Sequence, residues 1–199
     1  MNLMNYDHWR HYARGWLLHF FGREESAFNE FAAAYRLQPD DVQAARHLAF
    51  IAAKKKRHDV AEKWFLETVR LAPDDADSHF NLGFVREQMG KPADALQSFG
   101  DAVRLKPILD RAWYGMGMAR ARLGEHAEAA AAFTEAVALQ PMNGDAFYQL
   151  GMAWHHANRP EQVKDVVERL VGFDPKRAKR LVQDAERADL MHLIPELPF

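Results

Sequence analysis

The chain has no cysteine, no strong surplus of either charge and no long apolar segment. Without cysteine it can form no disulfide and can use no thiolate as a nucleophile. Its 26 basic residues nearly balance 28 acidic ones, which argues against a dedicated nucleic-acid-binding protein. The apolar run from Trp16 to Phe21 contains His19, is too short for a membrane span and lacks a secretory layout. We therefore expect a soluble, cytoplasmic protein with no nucleic-acid or membrane partner.

Prolines are few, but five of the nine lie on a regular period of 34 residues. These five are Pro39, Pro73, Pro107, Pro141 and Pro175. Small and large apolar residues recur at fixed distances before each of them, for example Ala129 and Phe133 before Pro141. Spacings of three, four and seven residues place such side chains on one face of a helix. Each period contains two such stretches and therefore predicts two helices.

Glycine or another turn-forming residue separates the two predicted helices of most periods. The turn positions are Gly22, Lys56, Gly90, Gly124 and Asn158. Glycine and asparagine tolerate the left-handed conformation that ends a helix. Aspartates follow the periodic prolines, as in Asp40 and Asp41, where they favour the N-terminus of the next helix.

The period resembles the tetratricopeptide repeat (TPR), in which Trp, a Leu-Gly pair, Tyr, Ala, Phe and Pro recur at fixed spacing over 34 residues. The fourth copy matches best, with Trp113, Gly117, Ala129, Phe133 and Pro141. The resemblance implies an all-α fold, a right-handed superhelical solenoid of antiparallel helix pairs. It also implies a non-catalytic protein that binds other proteins, and no catalytic or cofactor motif stands against this.

We divide the chain accordingly into a short leader, five repeats, a capping helix and a tail. The ranges are 1–7 for the leader, 8–41, 42–75, 76–109, 110–143 and 144–177 for the repeats, 176–190 for the capping helix and 191–199 for the tail. The capping helix is predicted because the last repeat of a solenoid needs a partner with a polar outer side.

In the TPR family the fifth and ninth residues of each repeat point into a concave groove. The fifth positions here are Tyr12, Arg46, Phe80, Tyr114 and Tyr148, and the ninth are Trp16, Phe50, Phe84, Met118 and Met152. Nine of these ten are aromatic or Met, which suits an apolar peptide or helix partner. The alternative, that these side chains pack on one another inside a tight superhelix, stays open.

Some TPR domains hold a terminal carboxylate with Lys, Asn and Arg residues. Arg46, Asn81 and Arg111 fall at matching places, whereas Phe50 and Gly115 stand where Asn and Arg are needed. The resemblance to such a clamp is therefore partial, and we include the three matching residues only as candidate contacts, the two arginines as anion contacts.

Two further features leave alternatives open. The tail carries Leu193, Ile194, Leu197 and Phe199. It either frays, packs against the repeats of its own chain, or enters the groove of a second copy and so mediates self-association. A role as helper subunit of an enzyme complex or as an RNA-binding array is a further possibility. His8 and His11 have the spacing of metal ligands on one helix, but no third ligand accompanies them, so we expect no metal site and no cofactor.

Overall fold

The computed structural model describes the backbone of residues 3–195 and the side chains of residues 6–195. Throughout this part of the chain the regular structure is helical. This confirms the predicted all-α fold built from consecutive helix pairs. The helices in chain order are α1 (Leu3–Phe20), α2 (Glu24–Leu37), α3 (Val42–Lys54), α4 (His58–Leu71), α5 (Ala76–Gln88), α6 (Pro92–Leu105), α7 (Asp110–Arg122), α8 (His126–Leu139), α9 (Gly144–His156), α10 (Pro160–Val171), α11 (Pro175–Asp184) and the 3-10 helix η1 (Ala188–Leu193).

The chain forms two compact units, Met1–Lys91 and Pro92–Phe199. Unit 1 contains α1 to α5, and its core includes Phe31, Leu48 and Ile51 around the small residues Ala27 and Ala49. Helices that follow one another in the sequence pack together within each unit.

Unit 2 contains α6 to α11 and η1. Phe99 and Phe133 are fully buried in it, at the same repeat position that Phe31 and Phe65 occupy in unit 1. The 34-residue period therefore reproduces one buried aromatic ring for each of the first four repeats. In the fifth repeat the buried residue at this position is Val167.

The turns between helices adopt the conformation that the sequence predicts. Gly22, Gly90 and Gly124 have φ values of 73°, 71° and 79°, and Lys56 and Asn158 have 56°. Only glycine adopts this left-handed region without a steric cost, since Cβ approaches the following carbonyl oxygen in other residues. Lys56 and Asn158 are held there by the helices on either side.

Several predicted helix starts are capped by side chains. The Asp41 carboxylate accepts from the backbone N–H groups of Gln43 and Ala44, at 2.9 and 3.0 Å. Such a cap satisfies donors that have no partner inside the helix. Asp75 lies at the equivalent place before α5, and its carboxylate also accepts from the side chains of Ser78 and Arg46.

The two ends differ from the predicted division. Helix α1 already begins at Leu3, so most of the predicted leader is helical. The capping helix ends at Asp184 rather than near residue 190, and Glu186 then has a φ of 54°. This residue turns the chain into η1, where Leu190 is buried in unit 2.

The tail is described only as far as Pro195. Leu193 and Ile194 are partly buried against the core of unit 2, so this part of the tail packs on its own chain. Leu197 and Phe199 lie outside the described residues.

Candidate functional site: an aromatic wall and a methionine cleft

Three large aromatic rings project from the first helices of unit 1. Trp16 on α1, Phe50 on α3 and Phe84 on α5 are 53, 52 and 50 % exposed. Tyr12 and Phe80, one helical turn earlier, are partly buried. With Arg46 and Asn81, these five side chains form a surface that we call the aromatic wall. The three rings at the ninth position are thus accessible rather than sealed inside the stack, whereas the two at the fifth position are partly covered.

The packing of α3 explains why Phe50 faces outward. The helix buries a broad face of Ala44, Ala45, Leu48, Ala49 and Ile51, each with no exposed surface. Phe50 lies on the opposite side of α3 from these five residues. The ninth position of the repeat therefore points away from the closely packed neighbouring helices.

Arg46 does not stand free on the wall. Its Nη2 donates to Asp75 Oδ2 at 2.6 Å, and its Nη1 donates to Gln43 at 3.2 Å. Burial acts to raise the pKa of Asp75, but hydrogen bonds from Ser78 and Arg46 outweigh it and leave that pKa below its ordinary value. The guanidinium therefore links α3 to α5, which reduces its capacity to act as an anion contact.

His47, which the sequence analysis did not select, supports the wall from behind. Its ring stacks on Phe31 at 4.3 Å between centroids and meets Tyr12 edge-on at 5.9 Å. Burial lowers the pKa of His47, and the nearby His19 lowers it further. The neutral ring therefore serves as an apolar support for Tyr12. The sequence gives only one signal for this role of His47, namely that it directly follows Arg46, a predicted site residue.

Unit 2 carries a cleft of about 460 Å³ on its own first helices, which we call the methionine cleft. Its apolar lining includes Met118 on α7, Met152 and Tyr148 on α9, and Phe133 on α8. Polar groups complete the lining: Arg122, His126, Gln149, His156 and Arg180. Tyr114 lies beside it, with its ring 5.5 Å from that of Phe133.

Tyr148 contacts two charged side chains at the cleft, Arg180 and Asp184. The guanidinium carbon of Arg180 lies 5.0 Å above the Tyr148 ring, and the Tyr148 hydroxyl donates to Asp184 at 2.6 Å. Burial raises the pKa of Tyr148, and the Asp184 carboxylate raises it further. Burial also lowers the pKa of His156, whose ring lies 5.0 Å from that of His126. Arg180 also donates to Asp184 at 3.2 Å, so the cleft combines an apolar floor with an ion pair at its edge.

The first half of α11 carries four cations, Lys176, Arg177, Lys179 and Arg180, and the structure gives contacts for two of them. Arg180 lines the methionine cleft. Arg177 forms ion pairs with Asp145 at 2.8 Å and with Asp174 at 2.7 Å. The sequence could not indicate these contacts because the partners lie on other helices or turns.

The predicted site residues divide between the two units. Unit 1 holds Tyr12, Trp16, Arg46, Phe50, Phe80, Asn81 and Phe84, and unit 2 holds Arg111, Tyr114, Met118, Tyr148 and Met152.

At Gly115, where a carboxylate clamp needs arginine, a Cβ atom would lie 2.6 Å from the buried Phe99 ring. The backbone of this repeat therefore excludes a side chain at that clamp position.

The two histidines with metal-ligand spacing have separate partners. His8 contacts Asp41 at 2.7 Å, and His11 contacts Glu30 at 2.6 Å. Among the described residues, no group of three or more His, Cys, Asp or Glu side chains is arranged to hold a metal ion. In the same part of the chain, no helix has the length and apolar character required to cross a membrane.

Comparisons with known proteins agree with this geometry. A family model described as tetratricopeptide repeat matches residues 12–76, 80–141 and 114–178, while no curated protein matches. The fold is similar to that of YrrB, a TPR protein with an unusual peptide-binding site, at 22 % identity over 89 % of this chain and 90 % of that one, with a TM-score of 0.78. It is also similar to MamA, at 16 % identity over 97 % of each chain with a TM-score of 0.77. For MamA of Desulfovibrio magneticus RS-1 the identity is 18 % over 89 % of this chain and 96 % of that one, with a TM-score of 0.75. The chain belongs to the tetratricopeptide repeat family.

Proposed function

We propose that this protein is a non-catalytic interaction scaffold that binds an apolar peptide segment or helix of a partner protein on the first helices of its repeats. The observation that carries the proposal is the row of Trp16, Phe50 and Phe84, each about half exposed at the same position of three consecutive repeats. Packing does not demand large rings there, because separate residues fill the core. Exposed apolar side chains in a contiguous patch usually mark a binding surface.

The methionine cleft supports the same function in unit 2. Met118 and Met152 are flexible and polarisable, so they adapt to side chains of different shape. Arg180, above the Tyr148 ring and paired with Asp184 at 3.2 Å, places an ion pair at the edge. We therefore expect this cleft to accept an apolar side chain of the partner.

Site-specific photocrosslinking tests the proposed face. A photoreactive phenylalanine replaces Phe50 on the aromatic wall in one variant and Leu66 on α4 in the other. Both native side chains are exposed and lie in unit 1, so the two probes differ mainly in the face they sample. We expect the probe at Phe50 to capture a partner from the native host's lysate and the probe at Leu66 to capture none. Equal capture at both positions, or capture at Leu66 alone, contradicts the proposal.

A further inference from the structure

Helix α1 carries an apolar surface that extends beyond the aromatic wall and shares only Trp16 with it, through the stacking of Trp16 on Phe20 at 5.8 Å between ring centroids. Tyr6, Trp9, Leu17 and Phe20 are half exposed or more, and they share one face of the helix with Trp16. Phe21 directly after the helix is also exposed, and its ring contacts that of Phe20. We call these six residues the α1 stripe. Exposed apolar side chains in a patch of this size usually mark an interaction surface, so this stripe requires an explanation.

The opposite face of α1 contacts α2 and the start of α3, so the α1 stripe faces outward. His8 contacts Asp41, His11 contacts Glu30, and His19 contacts Glu24. Tyr12 packs edge-on against the buried Phe31 ring. The helix is thus held to α2 and to the start of α3 by three histidine–carboxylate pairs, and it cannot turn its aromatic face inward without losing them.

Cations border the stripe along its length. Arg10 and Arg14 lie one turn apart beside it, and both remain about half exposed or more although they contact Asp7 and Glu30. The only acidic residue on α1 is Asp7. The two arginines thus give this flank of α1 a surplus of one positive charge over Asp7, and both are paired with carboxylates.

A second group of cations lies at the C-terminal end of α1. Lys54 Nζ contacts Glu24 at 2.6 Å, and the same carboxylate contacts His19 of α1 at 2.8 Å. Lys55 and Lys56 follow in the next turn and are exposed. This contact brings the end of α3, with its lysines, to the end of the stripe where Phe20 and Phe21 lie.

We propose that the α1 stripe docks this protein on the surface of an anionic lipid bilayer. Helices that lie in a membrane interface combine exposed Trp, Phe and Leu with flanking Lys and Arg, which contact the headgroups. Tyr and Trp favour the headgroup level of a bilayer. Each cation near an anionic surface adds to the attraction. We had expected no membrane partner because the sequence has no spanning segment, but docking on the surface needs none.

The same observations disfavour the two other occupants. A second copy of this chain would bring a second positive surplus against the first, and this opposes pairing of the two stripes. A protein partner would have to supply an apolar groove along α1, because the stripe is the projecting face of a single helix and not a groove. A bilayer surface satisfies the charge and the shape together.

The test is flotation of the full chain with vesicles. Binding is measured with vesicles of phosphatidylcholine alone and with vesicles of equal amounts of phosphatidylcholine and phosphatidylglycerol. We expect binding only to the anionic vesicles, and weaker binding as salt increases. Absence of binding to the anionic vesicles, or equal binding to both compositions, would overturn the proposal.

Variants locate the surface. Phe20→Ser with Phe21→Ser should lower the affinity for anionic vesicles at least about tenfold, since both rings leave the interface. Lys55→Gln with Lys56→Asn should lower it about fivefold for each charge removed, and asparagine suits the left-handed conformation of Lys56. The matched control is Ile108→Ser with Met142→Ser, which removes two equally exposed apolar side chains from turns of unit 2 and should leave binding unchanged.

Two outcomes identify the other occupants. If the wild type is a dimer by light scattering and Phe20→Ser with Phe21→Ser makes it monomeric without any vesicle binding, the stripe joins two copies and the lipid proposal is wrong. If a protein crosslinks to the stripe and no vesicle binds, the occupant is a protein. The aromatic wall variant Phe50→Ser with Phe84→Ser should retain vesicle binding, so this test is independent of the proposed peptide-binding function.

Discussion

Alanine substitution of two helical glycines in unit 2 tests how closely the repeats pack. Gly117 on α7 faces Phe133, and a Cβ atom added there would lie 2.7 Å from two ring atoms and 2.8 Å from a third. Carbon atoms in contact prefer about 3.5–4.0 Å. Phe133 is fully buried in the core of unit 2, so its ring can move away from Gly117 only by displacing its neighbours or by entering the methionine cleft that it lines. Gly100 on α6 is also helical, but nothing lies within 4 Å of its Cβ position.

The two alanine substitutions should therefore change stability in opposite directions. Gly→Ala inside a helix contributes about 1 kcal/mol of stability when space is available, so Gly100→Ala should raise the free energy of unfolding by about that amount. At Gly117 the same gain is opposed by overpacking of about 2–3 kcal/mol, the upper part of the usual range because three ring atoms are affected. The net effect of Gly117→Ala should be a loss of about 1–2 kcal/mol.

Urea unfolding followed by far-ultraviolet circular dichroism measures both values. The two glycines belong to the same unit, so each variant serves as the control for the other. If Gly117→Ala were as stable as the wild type, the close contact between α7 and Phe133 would not limit the size of residue 117. If Gly100→Ala were less stable than the wild type, the expected gain from helix propensity would be wrong.

Further substitutions test the turns and one buried ion pair. Asn158→Ala should destabilise the protein by about 1 kcal/mol, and Glu186→Gly should stabilise it by a similar amount in thermal unfolding, because both residues have a left-handed φ near 55°. Burial acts to raise the pKa of Glu62, but hydrogen bonds from Lys91 and Arg86 outweigh it and hold that pKa below 4.5. A depressed carboxyl pKa stabilises the folded state above the unfolded pKa and loses this effect as the pH falls through the folded pKa. Glu62→Gln should therefore cost about 1 kcal/mol at neutral pH, after allowance for solvent screening, and the difference from wild type in urea unfolding should shrink below pH 4.5. A difference that did not change with pH would contradict this assignment.

The helices and their turns could be predicted because the repeats use the same positions for the same purpose. Phe31, Phe65, Phe99 and Phe133 are all buried, and the period of 34 residues alone identifies them as equivalent. The turn positions follow from local chemistry, since a helix that ends in a left-handed residue favours glycine or asparagine. Neither inference needs knowledge of neighbouring helices.

The end of the repeats and the contacts of the arginines could not be predicted in this way. Residues 176–190 have an amphipathic pattern that continues past Asp184, and the pattern does not reveal the break at Glu186. Arg46 looked like an anion contact, but its partner Asp75 lies 29 residues away at the end of the same repeat, directly before α5. Such ion pairs depend on which side chains meet after folding, and a single sequence does not contain that information.

The affinity of the captured partner segment for three forms of this protein tests the proposed function most directly. The segment identified by crosslinking is made as a synthetic peptide, and its Kd is measured by titration calorimetry. Phe50→Ser with Phe84→Ser removes two exposed rings of the aromatic wall, whereas Leu37→Ser with Leu66→Ser removes two exposed leucines of α2 and α4 in the same unit. If both rings are anchors worth about 2 kcal/mol each, the wall variant should weaken binding by about a thousandfold, and the control should bind like the wild type. Equal affinity of the wall variant and the wild type would show that the partner binds another face.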